Sequence, residues 1–177
     1  MSLQYMSLVL LAACTGVVVA EESSIPIELS VLQNYVGVWD ANAEVWPSGL
    51  EAKSIKFKVV ETNRAFGKHW IASDFDSTFA GQVTKVHSII GYDLDKKKMV
   101  ATVIDDGPYS ATMEGDYDTK SKSIRWVTKG KGLDGKPFEQ RTVVTENSAN
   151  ERLLVLSTPN KTGKFVKFMS IKFTRRK

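Results

Sequence analysis

Cysteine is almost absent from this chain of 177 residues, because Cys14 is the only one. An intramolecular disulfide is therefore excluded, and the fold has to be stabilised by burial of apolar side chains. Long apolar runs are missing as well. The most apolar segment lies within residues 1–20 and falls short of the ~20 residues that a membrane-spanning helix needs. The sequence accordingly predicts no membrane span.

Motifs that carry catalysis are also lacking. The sequence contains no nucleophile elbow, no glycine loop of the phosphate-binding kind and no His/Cys cluster at metal-ligand spacing. Its two histidines, His69 and His87, fall on different predicted strands, so we expect isolated histidines rather than a metal site. No cofactor is predicted, and the sequence favours a protein that is not an enzyme.

Charge of one sign does not dominate either. Lys and Arg number 24 and Asp and Glu number 20, which gives a formal net charge of +4. The lysines are scattered, and Lys56 and Lys58 alternate with apolar neighbours such as Phe57, as on the solvated face of a strand. We expect no nucleic-acid partner. Hydrophobic residues make up 42% of the chain, which is enough for one packed domain.

The N-terminal segment has the features of a targeting sequence. Residues 1–20 carry no charged side chain, and Val18, Val19 and Ala20 precede Glu21 as the small residues of a cleavage site do. We predict a signal peptide over residues 1–20, cleavage after Ala20, and export to the periplasm or the medium. Residues 21–36 then form an extension with a short helix.

A competing interpretation treats the same segment as a lipoprotein signal. Leu11-Ala12-Ala13-Cys14 resembles the bacterial lipobox, in which the cysteine is lipidated and becomes the N-terminus. Lipidation of Cys14 would give a lipid anchor. The residues after Cys14 are apolar, however, whereas a tether is expected to be polar. An uncleaved apolar anchor or a misassigned start is a third reading, because no Lys or Arg precedes the apolar run.

The remainder of the chain has the two-residue period of β-strands. Leu29, Leu32 and Tyr35 recur at three-residue spacing and predict one or two helical turns. From Gly37 onward, apolar and polar residues alternate between short turn-like linkers. The predicted strands are Val38–Val45, Lys53–Thr62, His69–Phe75, Val83–Tyr92, Met99–Asp105, Tyr109–Tyr117, Ile124–Lys131, Phe138–Thr145, Arg152–Ser157 and Phe165–Arg175.

Short linkers predict how these strands pair. A parallel crossover needs a dozen or more residues, so neighbours in sequence are expected to pair antiparallel as a meander. Such a meander can stay an open sheet, fold into a sandwich or close into a barrel, and closure alone removes both edges. We predict an all-β, antiparallel up-and-down barrel of 8 to 10 strands over residues 37–177.

Specific residues resemble known families. Gly37-Val38-Trp39 with Arg175 resembles the lipocalin arrangement, in which a tryptophan packs under an arginine at the closed end of the barrel. The sequence as a whole resembles the DUF1579 family, which implies a lipocalin-like (calycin) barrel from bacteria without an agreed role. The matching segments are residues 32–46, 61–64, 90–93, 113–115, 134–137, 141–143 and 173–175. The segment Val103–Tyr109 is shorter than the family pattern.

One group of polar residues is a candidate binding site, because its members match the family pattern and fall within strands or at strand ends. If they face inward they have to be paired, since an isolated buried charge costs several kcal/mol. The alternative is a solvated or purely structural network. Glu61 and Arg64 are similar candidates, for which the alternative is a salt bridge at a hairpin end. The candidate ligand-binding set is His87, Asp105, Glu114 and Arg141.

Aromatic residues supply candidate pocket walls: Trp70, Tyr92, Tyr109 and Trp126.

The predicted barrel is compatible with three functions. The first is a barrel that binds a small, largely apolar molecule in its interior. The second is an envelope or surface interaction protein with a filled core, whose loops do the work. An enzyme with an interior acid or base is the third and least favoured. The sequence does not indicate an oligomeric state.

The export prediction can be checked on the mature protein. We expect intact-mass spectrometry of the protein recovered from a bacterial host to show loss of residues 1–20 and a new N-terminus at Glu21, and the Cys14→Ser variant to give the same product. A lipid adduct that disappears in Cys14→Ser would instead establish lipidation, and a retained Met1 would contradict both.

Overall fold

A computed structural model describes residues 26–79 and 81–177 of the chain. Within this part, one short helix precedes ten strands, as the sequence predicts. The helix is α1 (Ile27–Gln33). The strands are β1 (Gly37–Val45), β2 (Ile55–Phe66), β3 (Trp70–Phe79), β4 (Gln82–Asp93), β5 (Lys98–Asp105), β6 (Ser110–Asp118), β7 (Ser123–Lys131), β8 (Pro137–Ser148), β9 (Glu151–Pro159) and β10 (Phe165–Arg175).

The strands form a closed barrel. Each strand pairs antiparallel with its neighbour in sequence, and β1 also pairs with β10, with Trp39 opposite Arg175 and Val45 opposite Met169. The short connections impose the antiparallel order. Pairing of the first and last strands then satisfies the backbone groups that two free edges would leave unpaired. The predicted closed, antiparallel all-β barrel is confirmed.

Two hairpins repeat the same turn. Asp93 Oδ1 accepts the backbone N–H of Asp95 at 3.0 Å, and Asp118 Oδ1 accepts that of Lys120 at 2.9 Å. In each turn a lysine adopts a positive φ, 53° at Lys97 and 47° at Lys122. Side-chain oxygens of Asp bond readily to the backbone two or three residues further on, which favours tight turns.

The two ends of the barrel differ. At one end α1 packs against β3 and β4, and its residues Leu29, Val31 and Leu32 are buried. Just after the helix, the carbonyl oxygen of Tyr35 accepts hydrogen bonds from Trp39 Nε1 at 2.8 Å and from Asn63 Nδ2 at 3.0 Å. These bonds tie the helix to β1 and β2 and close this end.

Arg175 completes the closed end. Its guanidinium lies over the Trp39 ring, 4.3 Å from the ring centroid, and its Nη1 donates to the Val36 carbonyl oxygen at 2.7 Å. Nη2 donates to the Asn34 carbonyl oxygen. The arginine therefore caps the carbonyl groups that follow α1 as well as contacting the indole, a contact worth roughly 0.5–2 kcal/mol.

The predicted signal peptide and Cys14 lie outside the described residues. In the part of the chain that the structure does describe, no helix is both long and apolar enough to cross a membrane. Export and lipidation therefore stay predictions from the sequence.

Two glycines make room for tryptophan rings on neighbouring strands. Gly91 lies opposite Trp70 across the β3–β4 pair, on the outer surface, and Gly115 lies opposite Trp126 across the β6–β7 pair, inside the barrel. A Cβ at Gly91 would come within 2.2 Å of the Trp70 ring. A Cβ at Gly115 would lie 2.8 Å from both the Trp126 ring and the Arg125 carbonyl oxygen.

The two glycines are expected to tolerate alanine differently. Gly115→Ala should lower the free energy of unfolding by about 2 kcal/mol, because a buried ring and a backbone oxygen cannot both move away. Gly91→Ala should cost less, since the half-buried Trp70 can shift into solvent. Urea unfolding of the two variants measures the difference, and an equal or larger loss for Gly91→Ala would contradict this account.

Candidate functional site

A cavity of about 540 Å³ lies inside the barrel. Its volume falls within the ~300–1,000 Å³ typical of pockets that hold small molecules. Inward-facing residues of β2 to β10 form its wall. The apolar members are Phe75, Val86, Ile90, Ala101, Val103, Ala111, Met113, Trp126, Phe138, Val144, Leu154, Leu156, Met169, Ile171 and Phe173.

The closed end supplies the floor of the cavity. Leu32 from α1 and Tyr35 just after it both line the cavity and are buried. Burial raises the pKa of the Tyr35 hydroxyl above its ordinary value, and the nearby Glu146 carboxylate raises it further. Tyr35 is therefore a neutral phenol at any physiological pH.

The floor also contains a buried ion pair. Glu61 of β2 and Arg152 of β9 both point inward and pair with each other, with 13% and 4% of their side-chain surfaces exposed. Ser73 of β3 donates its hydroxyl to Glu61 Oε1 at 3.4 Å. Neither charge alone is tolerated at such depth, so each stabilises the other.

Three aromatic rings surround the arginine of this pair. The guanidinium carbon of Arg152 lies 4.4 Å from the ring centroids of Tyr35, Trp39 and Phe173. Ring faces are electron-rich and attract the cation. Burial lowers the pKa of Arg152 to about 10. The side chain thus stays charged at neutral pH, and Trp39 contacts two guanidinium groups, those of Arg152 and Arg175.

Higher in the cavity, neutral polar side chains form a strip along the β7–β8 pair. Thr128 and Gln140 lie directly opposite each other, and Thr142 lies opposite Trp126. All four line the cavity. Hydroxyl and amide groups both donate and accept hydrogen bonds, so this strip can orient a polar group of either kind.

The mouth of the cavity lies between the β5–β6 and β7–β8 loops. Asp105 at the end of β5 and Lys131 at the end of β7 line the mouth, together with Tyr109 and Leu133 from the two loops. The Lys131 ammonium lies 5.8 Å from the Tyr109 ring centroid. Asp105 Oδ1 accepts the Gly107 backbone N–H at 2.7 Å, which holds the carboxylate at the loop.

Three of the four residues in the candidate polar set lie outside the cavity. His87 lies on the outer face of β4, because its neighbours Val86 and Ser88 line the cavity and alternate residues of a strand face opposite sides. Its Nδ1 lies 2.7 Å from Asp74 Oδ1. The hydrogen bond to His87 and the nearby Arg64 keep the pKa of Asp74 below its ordinary value.

Glu114 and Arg141 are outside for the same reason. Glu114 pairs with Lys96 at 2.7 Å on the outer surface, since Met113 takes the inward position. Arg141 lies over Phe165, 3.9 Å from the ring centroid, and is more than half exposed. Asp105, at the mouth, is the only one of the four that lines the cavity. The four residues therefore do not form one interior cluster.

The predicted aromatic residues divide in the same way. Trp126 lines the cavity wall and Tyr109 its mouth. Tyr92 packs against the buried cluster that contains Leu32 of α1 and does not line the cavity. Trp70 lies on the outer surface against Gly91.

The sequence model of one protein family matches residues 27–175, and that family is described as a protein of unknown function, DUF1579. The chain belongs to the DUF1579 family. The resemblance found in the sequence is thereby confirmed. The search of curated proteins found no match to this chain.

Among solved structures, this DUF1579 chain is similar to Rv2717c from M. tuberculosis, with a TM-score of 0.62 and 10% sequence identity. The similarity covers 87% of this chain and 100% of Rv2717c. At so low an identity it supports the barrel fold and carries no information about the site.

The Glu61–Arg152 pair is the part of the site that sequence reasoning missed. A hairpin-end salt bridge between Glu61 and Arg64 does not form, because Arg64 faces outward and pairs with Asp74. A signal existed: Glu61 shares strand parity with the apolar Phe57 and Val59, and Arg152 shares it with Leu154 and Leu156. A charged residue on the apolar face of a strand indicates a buried pair.

Across residues 26–79 and 81–177, no three or more His, Cys, Asp or Glu side chains are grouped so that they could hold a metal ion.

The buried pair generates a prediction about stability. Glu61→Gln or Arg152→Met alone should lower the free energy of unfolding by about 3–5 kcal/mol, because the remaining charge loses its partner. The double variant should regain much of that loss, since both charges are then gone. Urea unfolding of the four proteins gives the coupling energy.

The exposed Glu114–Lys96 pair provides the matched control. Glu114→Gln and Lys96→Met should leave the unfolding transition unchanged, because solvent screens both charges. Losses at Glu61 and Arg152 that simply add in the double variant would contradict the proposed coupling.

Proposed function

We propose that this protein binds one small, largely apolar molecule inside its barrel. The observation that supports this most directly is the cavity of about 540 Å³, whose wall is mostly apolar and whose polar groups are in the minority. Pockets of small-molecule binding proteins combine an apolar lining with a few polar groups that fix orientation. The cavity of this barrel has the same composition.

Side-chain packing further supports a hollow interior. The alternative function, an interaction protein with a filled core, would require an interior with little free volume. Here the two buried clusters occupy the closed end and the β1–β2–β10 side, and the cavity lies above them. The side chains that line an empty apolar cavity lack van der Waals contacts on one side. A bound molecule would supply those contacts and stabilise the barrel.

We also propose that the barrel acts outside the cytoplasm. The proposal depends on the uncharged, apolar residues 1–20 and on the small residues before Glu21. The N-terminal mass measurement described above tests it.

A pair of neighbouring residues on β5 tests the proposed binding. Val103 lines the cavity, whereas Thr102 points to solvent. Val103→Trp should fill part of the cavity and weaken binding of the neutral fluorescent probe N-phenylnaphthylamine by about tenfold or more, while Thr102→Trp should bind as the unsubstituted protein does. Fluorescence titration gives the two dissociation constants.

Native mass spectrometry of the mature protein complements the titration, because a molecule carried through purification would add mass to the folded chain. Unfolding curves confirm that both tryptophan variants fold. An unsubstituted protein that binds neither the probe nor any co-purifying molecule, or a Val103→Trp variant that binds the probe undiminished, would contradict the proposed function.

A further inference from the structure

The charged side chains that line the cavity cancel each other. Glu61 and Arg152 lie at its floor, and Asp105 and Lys131 lie at its mouth. The lining thus contains two carboxylates and two cations, one of each at the floor and one of each at the mouth. The cavity offers a ligand no excess charge.

The floor would repel an ionic group of either sign. Arg152 already has Glu61 as its counterion, and both side chains are largely removed from water. A ligand carboxylate beside this pair would meet the negative charge of Glu61, and an ammonium group would meet the positive charge of Arg152. Because water is scarce there, neither repulsion is well screened, and a third charge would be left without a partner.

Neutral polar groups, in contrast, have partners along the cavity. The strip formed by Thr128, Gln140 and Thr142 donates and accepts hydrogen bonds without bringing charge. An uncharged hydroxyl or carbonyl group can form hydrogen bonds with this strip or with the buried pair, and it leaves no charge without a counterion. A charged group beside the floor lacks that option, because its own charge would stay unpaired.

We infer that the ligand is an uncharged, largely apolar molecule bearing a hydroxyl, ester or ketone group, such as a long-chain alcohol or ester, and that the cavity discriminates against the corresponding acids and amines. This inference depends on the proposed function, because it names the chemical class of the molecule that the cavity binds.

Three probes of equal chain length test the inference on the unsubstituted protein. Decanol, decanoate and decylammonium are each titrated against the bound N-phenylnaphthylamine at neutral pH. Decanol should displace the probe at a concentration about tenfold or more below that needed for either ion. Decanoate or decylammonium displacing the probe as readily as decanol would overturn the inference.

Substitution of the charged residues at the floor tests the same inference by changing the protein instead of the probe. Glu61→Gln removes the counterion of Arg152, so the preference should turn toward decanoate. The double variant Glu61→Gln, Arg152→Met removes both charges and should again prefer decanol. Glu114→Gln, on the outer surface, should bind all three probes as the unsubstituted protein does.

The outcomes separate this inference from the proposed function. If the cavity binds the fluorescent probe but prefers an ion over decanol, ligand binding stands and the neutral class is wrong. If no probe binds, the proposed function itself fails.

A Glu61→Gln variant that folds, as judged by its unfolding curve, and still prefers decanol would also overturn the assignment of selectivity to the floor. Should Glu61→Gln fail to fold, the three-probe comparison on the unsubstituted protein decides alone.

Discussion

The pairing of β1 with β10 is the constraint on which the rest of the molecule depends. It joins residues more than a hundred positions apart, such as Trp39 and Arg175, and it converts a meander with two open edges into a barrel with an inside and an outside. Once the barrel is closed, alternate side chains of each strand face an enclosed interior and the others face solvent. Both the buried ion pair and the cavity exist because of this closure.

Closure also explains how a charged pair is retained in the interior. Glu61 and Arg152 belong to β2 and β9, which are separated in the barrel by β1 and β10. Their side chains meet across the inside of the curved wall, under the aromatic rings of Trp39 and Phe173. Removing one partner of such a pair leaves an unpaired buried charge and costs much stability, whereas removing both partners costs little. The pair therefore specifies the geometry of the floor more than it stabilises the fold.

The sequence predicted the fold more fully than the site, for a physical reason. Strand period and short linkers are local properties, so the ten strands, their antiparallel order and the short helix follow from neighbouring residues. The face of the strand on which a side chain lies is also a local property, and strand parity alone places His87 outside the barrel and Arg152 inside it. The contact between Glu61 and Arg152 is different. It depends on barrel curvature, which no short segment of the sequence records.

The cavity follows from the number of strands together with the position of the large residues. A barrel of about eight strands is just wide enough to be filled by side chains or to hold one small ligand, and ten strands enclose a wider interior. Here the helix end is filled by Leu32, Tyr35 and the rings around Arg152, and the cavity extends from there toward the open end, where Val103, Ala111 and Phe138 line it. Because the helix end is filled, the unfilled volume lies toward the mouth. A molecule entering from solvent would therefore pass Asp105 and Lys131 at the mouth, then the mostly apolar wall, and would reach the buried ion pair last.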